Sequence, residues 1–155
     1  MLKYTTTQVT FREIPDEITL CINISNCPIH CPDCHSKELW NDIGTELNEE
    51  ELNRLIEENK GITCVCFMGG EKDIISLFSL SSKIKEKYPD LKLAWYRGIS
   101  RENAEDFSRT FTYVKYGPYV KELGGLDSPT TNQKLYQYFW NEDCIEKDIT
   151  YKFWK

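Results

Sequence analysis

The chain has 155 residues, 40% of them hydrophobic and 13% aromatic, which fills one proper core and leaves little for a second, so a single domain over 1–155 is expected. Nineteen basic against twenty-five acidic residues give a formal charge of -6, which repels a phosphate backbone and argues against nucleic acid as a partner. The opening MLKYTTTQVTFREIP has no basic patch followed by an apolar run, so neither a signal peptide nor a membrane span is expected, and a cytoplasmic location follows.

In chain order, ITLCINI places Ile18, Leu20, Ile22 and Ile24 on one face of a strand. The stretch CPIHCPDCH, residues 27–35, follows at once, so its three cysteines and two histidines sit beyond the carboxyl end of that strand. LNEEELNRLIEEN then has Asn48 as N-cap, Glu51 three residues on, and Leu52, Leu55 and Ile56 at helical spacing. That segment predicts a helix ending near Gly61, with Glu49 to Glu51 in the first turn, where the dipole favours negative charge. ITCVCF is a second strand with almost no polar residue, which implies burial on both faces, as in a parallel sheet covered by helices. Cys64 and Cys66 share a face with Ile62 and Met68 and read, like Cys21, as small buried hydrophobes.

The second strand runs into Met68, Gly69, Gly70 and Glu71, and then into DIISLFSLSSKIKEKY, where Ile74, Leu77, Phe78 and Ile84 mark a helix stopped by Pro89. LKLAWY predicts a third strand, RENAEDFSR a short helix, and FTYVKY a fourth strand ending at Gly117 and Pro118. This alternation is that of an α/β fold with a mostly parallel sheet and right-handed crossovers. Complete eight-unit barrels need roughly 200 residues or more, so a partial, incomplete βα barrel or an open sheet is expected. After Pro118 the alternation stops. KLYQYFW and ITYKFW read as two aromatic C-terminal strands paired as a hairpin, either covering a sheet edge or open mouth, the simpler reading, or docking another protein. Cys144, in the polar stretch NEDC, receives no role.

Seven cysteines cannot all be paired within the chain, and in a reducing compartment clustered thiols more often bind metal or do chemistry than form a structural bridge. Zinc on Cys27, Cys31, Cys34 and either His30 or His35 is one alternative. Structural zinc sites, however, usually draw two ligands from each of two separated knuckles, and the sequence has one such stretch. A disulfide would leave the third thiol idle. An iron-sulfur cubane normally takes four thiolates, so three would leave one iron without a protein ligand, the open position that separates a reactive metal site from a structural one.

Cys27-x-x-x-Cys31-x-x-Cys34 directly after the first strand, with Gly69, Gly70 and Glu71 at the end of the second, resembles the radical S-adenosylmethionine superfamily. The short chain, VKYGPYV and GGLDSPTTNQKLY are similar to the small activating proteins of anaerobic ribonucleoside-triphosphate reductase. Thr112 and Tyr96-Arg97-Gly98 depart from that pattern, which commonly has an acidic residue and an aromatic-Thr-Gly. The resemblance implies a [4Fe-4S] cluster on Cys27, Cys31 and Cys34, with S-adenosyl-L-methionine chelating the fourth iron and being cleaved by an electron from the cluster. It further implies that Gly69 and Gly70 offer bare backbone to the methionine end, and that Glu71 either accepts from the ammonium group or caps the following helix. Asp33 and His35 fall near the adenine, while His30 faces solvent. Arg97 and Lys115, at strand ends, either contact a carboxylate or partner or form surface ion pairs. The implied partners are anaerobic ribonucleoside-triphosphate reductase, activated by hydrogen abstraction from a glycine, and a low-potential electron donor such as flavodoxin. The competing readings are an activase for a different glycyl-radical enzyme, a small deazapurine-forming synthase, and a zinc-binding interaction module without catalysis.

Overall fold

A strand whose two faces are both apolar needs a packed layer on each side, and ITCVCF, with 0% exposure at Cys64, Val65, Cys66 and Phe67, has both. The computed structural model describes residues 1–27, 40–104, 109–140 and 144–154. Its strands are β1 (Lys3–Thr10), β2 (Thr19–Ile24), β3 (Thr45–Glu46), β4 (Cys64–Met68), β5 (Lys92–Tyr96), β6 (Tyr113–Tyr116), β7 (Lys134–Trp140) and β8 (Cys144–Asp148). They form one sheet in the order β3-β1-β2-β4-β5-β6-β7-β8. The centre is parallel: β2 pairs β4, β4 pairs β5 and β5 pairs β6. On the flanks β1 runs antiparallel to β2, β7 to β6 and β8 to β7.

Helices α1 (Glu49–Glu58) and α2 (Ile74–Lys87) return the chain between the first three parallel strands. The Asn48 side chain caps α1 by accepting from Glu51 N at 2.9 Å, and the helix buries Leu52, Leu55 and Ile56. Asp73 caps α2 and binds the amino-terminal ammonium, which with Ser76 holds its carboxyl down at about 2. Under the helices, alternate strand residues build an apolar layer from Leu20, Ile22, Val65, Phe67, Leu93 and Trp95. Phe67 stands edge-on to Phe111 and Phe78 edge-on to Trp95. The opposite face carries Cys21, Cys64, Cys66, Ala94 and Tyr113, with Ile14, Leu135 and Ile149 packed over them.

Glu17 ties the amino-terminal ends of the parallel strands together. Its carboxylate accepts from Thr63 Oγ1, Lys92 Nζ and Tyr113 Oη, each at 2.7 Å. Burial by itself would raise this carboxyl, but the bonds from Lys92, Tyr113 and Thr63 outweigh it and hold it below the ordinary range.

Three sequence expectations need correction. RENAEDFSR gives a 3-10 turn at Arg101–Asn103 with Ala104 already extended, and residues 105–108 lie outside the described set. ITYKFW is not a strand: Thr150–Phe153 is a 3-10 turn, because Asp148 Oδ1 accepts from both Thr150 N at 2.9 Å and Thr150 Oγ1 at 2.6 Å and bends the chain there. The hairpin partner of β7 is β8 instead, which puts Cys144 in a strand opposite Trp140. The strand β1 was not anticipated at all.

Candidate functional site

The four parallel strands all end on the same side of the sheet, where the residues after them are Ser25–Cys27, Gly69–Glu71, Arg97–Gly98 and Gly117–Pro118. Carboxyl ends of parallel strands are where such sheets collect functional groups. A cavity of about 1220 Å³ opens there, lined among others by Cys27, Met68, Gly69, Arg97 and Gly117.

Cys27 is half-buried, carries a free thiol and faces this cavity. Asn26 turns the chain toward it by adopting φ 62°, the left-handed region that asparagine tolerates better than most residues. Asn26 N donates to Asn41 O at 2.9 Å, and Ser25 Oγ donates to Ile43 O at 2.6 Å. The chain that leaves at Cys27 is therefore tied to the chain that resumes at Trp40. Cys31, Asp33, Cys34 and His35, with His30, lie outside the described residues.

Gly69 and Gly70 follow β4 with φ of +110° and +93°. A Cβ on Gly69 would stand 3.0 Å from Ile24 O, so the turn after β4 packs its bare backbone against the end of β2. Glu71 caps no helix, since Asp73 does that for α2. It accepts from Arg97 Nε at 2.8 Å instead, and both side chains are buried. Arg97 is thus neither a surface ion pair nor exposed, and its guanidinium lies over the Trp95 ring.

On the face of the sheet opposite the helices, Tyr96 OH donates to Glu13 O, and Lys115 Nζ donates to Gly117 O at 3.2 Å while lying over the Tyr96 ring. Burial raises the Glu13 carboxyl, an effect opposed by the ammonium of Lys115. Lys115 is buried and lines the cavity, not the surface. Below it, burial pushes the thiols of Cys64 and Cys66 up, which leaves them protonated and inert. Phe11, Tyr151 and Trp154 stand exposed around the mouth. By contrast Tyr138 of the C-terminal hairpin is buried in the helix-side core, with Tyr136 and Trp140 packed against it.

Sequence reasoning missed Glu13, Asn26 and the indole of Trp95, which donates to Gly69 O at 2.7 Å. Asn26 carried a signal, an asparagine immediately before the first cysteine. The contacts of Glu13 and Trp95 arise from strand pairing and leave no local mark.

The donor chemistry of this site suits a thiolate-held cluster: an unbridged cysteine at a strand end, on a cavity that Gly69 also lines. Among known proteins, the family described as 4Fe-4S single cluster domain matches residues 18–118. The match runs from β2 through the cysteine segment to the Gly117–Pro118 turn after β6. No curated protein and no solved structure matches the chain. Since the match covers well over half of its length and includes Cys27 and the turn at Gly69, the chain belongs to the 4Fe-4S single cluster domain family.

Proposed function

We propose that this protein is a radical S-adenosylmethionine activating enzyme, one that reductively cleaves S-adenosylmethionine and abstracts hydrogen from a glycine of anaerobic ribonucleoside-triphosphate reductase to leave a glycyl radical. The observation that carries this reading is the meeting of Cys27, beyond β2, with the bare backbone of Gly69, beyond the neighbouring parallel strand β4, on one cavity. Cys27, Cys31 and Cys34 would hold the [4Fe-4S] cluster, which when reduced supplies one electron for cleavage of the sulfonium. Gly69 and Gly70 would let backbone approach the methionine end, and Asp33 and His35, beside Cys34 in the sequence, belong to the adenine side.

On this reading the sheet is a partial βα barrel whose open concave face receives a loop of a large partner. The cavity of about 1220 Å³ has room for a nucleoside-sized cofactor, since small-molecule pockets run roughly 300–1,000 Å³. A low-potential donor such as flavodoxin would reduce the cluster. The proposed location is the cytoplasm; no helix among the described residues is long and apolar enough to cross a membrane.

The test is anaerobic reconstitution with iron and sulfide, then dithionite and S-adenosylmethionine, with methionine and 5'-deoxyadenosine followed by chromatography. Adding the reductase should produce a glycyl doublet in electron paramagnetic resonance. Cleavage without the doublet would favour a different activase or a deazapurine-forming synthase. A zinc-binding interaction module would give neither a reducible cluster nor cleavage.

A further inference from the structure

The turn after β4 holds two consecutive glycines at φ +110° and +93°, a conformation glycine reaches freely but leaves just as freely, so its surroundings have to fix it. Those surroundings come from β5 and the residue after it. Trp95 Nε1 donates to Gly69 O at 2.7 Å, Gly69 N donates to Tyr96 O at 3.1 Å, and Arg97 Nε donates to Glu71 Oε1 at 2.8 Å. The side chains of Arg97 and Glu71 are 2% and 8% exposed. The guanidinium carbon lies 4.0 Å from the Trp95 ring centroid, so one indole both bonds the turn and supports the arginine that grips it. Arg97 N in turn donates to Lys115 O at 2.8 Å, which anchors the arginine to β6.

A guanidinium is planar and permanently charged, so a buried one fixes its carboxylate partner in direction as well as in place. Glu71 is therefore held as a counter-ion, and the backbone between it and β4 has both ends fixed.

We propose that Arg97 is a positioning residue: by gripping Glu71 it sets the Gly69–Gly70 backbone in the shape that receives the amino-acid end of S-adenosylmethionine, an inference that rests on the function proposed above. Cofactor affinity then depends on a side chain whose own bonds run to the protein.

The test compares the reconstituted wild type with Arg97→Met and with the double variant Arg97→Met/Glu71→Gln. Hydrogen exchange is read at the amides of residues 69–71, together with melting temperature and the KM and kcat for S-adenosylmethionine cleavage. Arg97→Met strands a buried carboxylate and lowers the melting temperature, whereas the double variant removes both charges and regains much of the loss. In both variants exchange at 69–71 should rise by about tenfold or more, since local opening is what limits it. KM should rise by about tenfold while kcat stays within about threefold, the split expected when ground-state binding is what is lost. A double variant with wild-type KM would show that Arg97 serves charge balance and nothing more, which overturns the inference. A raised KM with unchanged exchange would mean that Arg97 touches the cofactor directly, which also overturns it. If the wild type leaves S-adenosylmethionine intact, the proposed function falls with the cofactor half of this inference, while the exchange comparison still judges the grip on the turn.

Discussion

Gly69→Ala isolates the close approach of the turn after β4 to the end of β2. Two penalties act. The first is the backbone: at φ +110° an alanine occupies a region that L-residues avoid, at a cost of about 1–2 kcal/mol. The second is crowding: the new methyl would lie 3.0 Å from Ile24 O, a backbone atom that cannot swing aside, which adds about 1–3 kcal/mol. Gly61 provides the control, since it has a similar φ of +94° and nothing within 4 Å of an added Cβ. The loss of unfolded-chain entropy on Gly→Ala is common to both sites and cancels in the comparison. Gly69→Ala should therefore be less stable than Gly61→Ala by about 1–3 kcal/mol, measured by urea unfolding of the two variants side by side. In a chain of this size that difference lowers the melting temperature by about 2–12 °C, at 2–4 °C per kcal/mol. Equal destabilisation at the two positions would refute the claim that the turn is pressed against β2.

Cys27→Ala is expected to abolish the charge-transfer absorbance of the cluster after anaerobic reconstitution, whereas Cys64→Ala keeps it and lowers stability by about 1–2 kcal/mol through lost packing; retained absorbance in the first variant would remove Cys27 from the ligand set. Asn26→Val, at φ 62°, should cost about 1–2 kcal/mol and lower cluster occupancy, while Asn26→Gly leaves both nearly unchanged; the iron content of the two purified variants is the check. Glu17 has a folded carboxyl below its unfolded value, so its stabilising effect is complete above the ordinary glutamate range and drains away as pH falls through the folded value. Glu17→Gln should accordingly destabilise the protein near neutrality, with the gap to wild type narrowing in acid below about pH 4; a gap that widened on acidification would contradict the hydrogen-bonding account.

The parallel centre was legible because its signals are local. The apolar run ITCVCF, the Asn48 cap and the Pro89 stop each determine an element from neighbours in sequence, and Cys64–Met68, α1 and α2 appear where these signals put them. The strand β1 escaped notice because KYTTTQVT is mostly polar and half-exposed, its place set by pairing with β2. ITYKFW misled because its aromatic residues resemble those of a strand, while the bend depends on Asp148 two residues before Thr150. At the site, the sequence marked Cys27, Gly69 and Gly70, but the fate of Glu71 could not be read from it. Its partner Arg97 lies a helix and a strand away and reaches it through the register of β4 with β5.

The sheet is linear in its strand order, and β8 has no neighbour beyond it among the described residues. All five of its residues, Cys144–Asp148, are exposed, so it presents a row of backbone donors and acceptors on which another chain could templately extend the ladder. Glu146, Lys147 and Asp148 place three charges of mixed sign along that edge, Glu146 paired with Arg101 and Asp148 bonded to Thr150, and charged side chains on an edge strand oppose its pairing with another chain. Three consecutive charged side chains thus guard a flank of the sheet that stands five places from β2 in strand order, and a screen for aggregation should begin there.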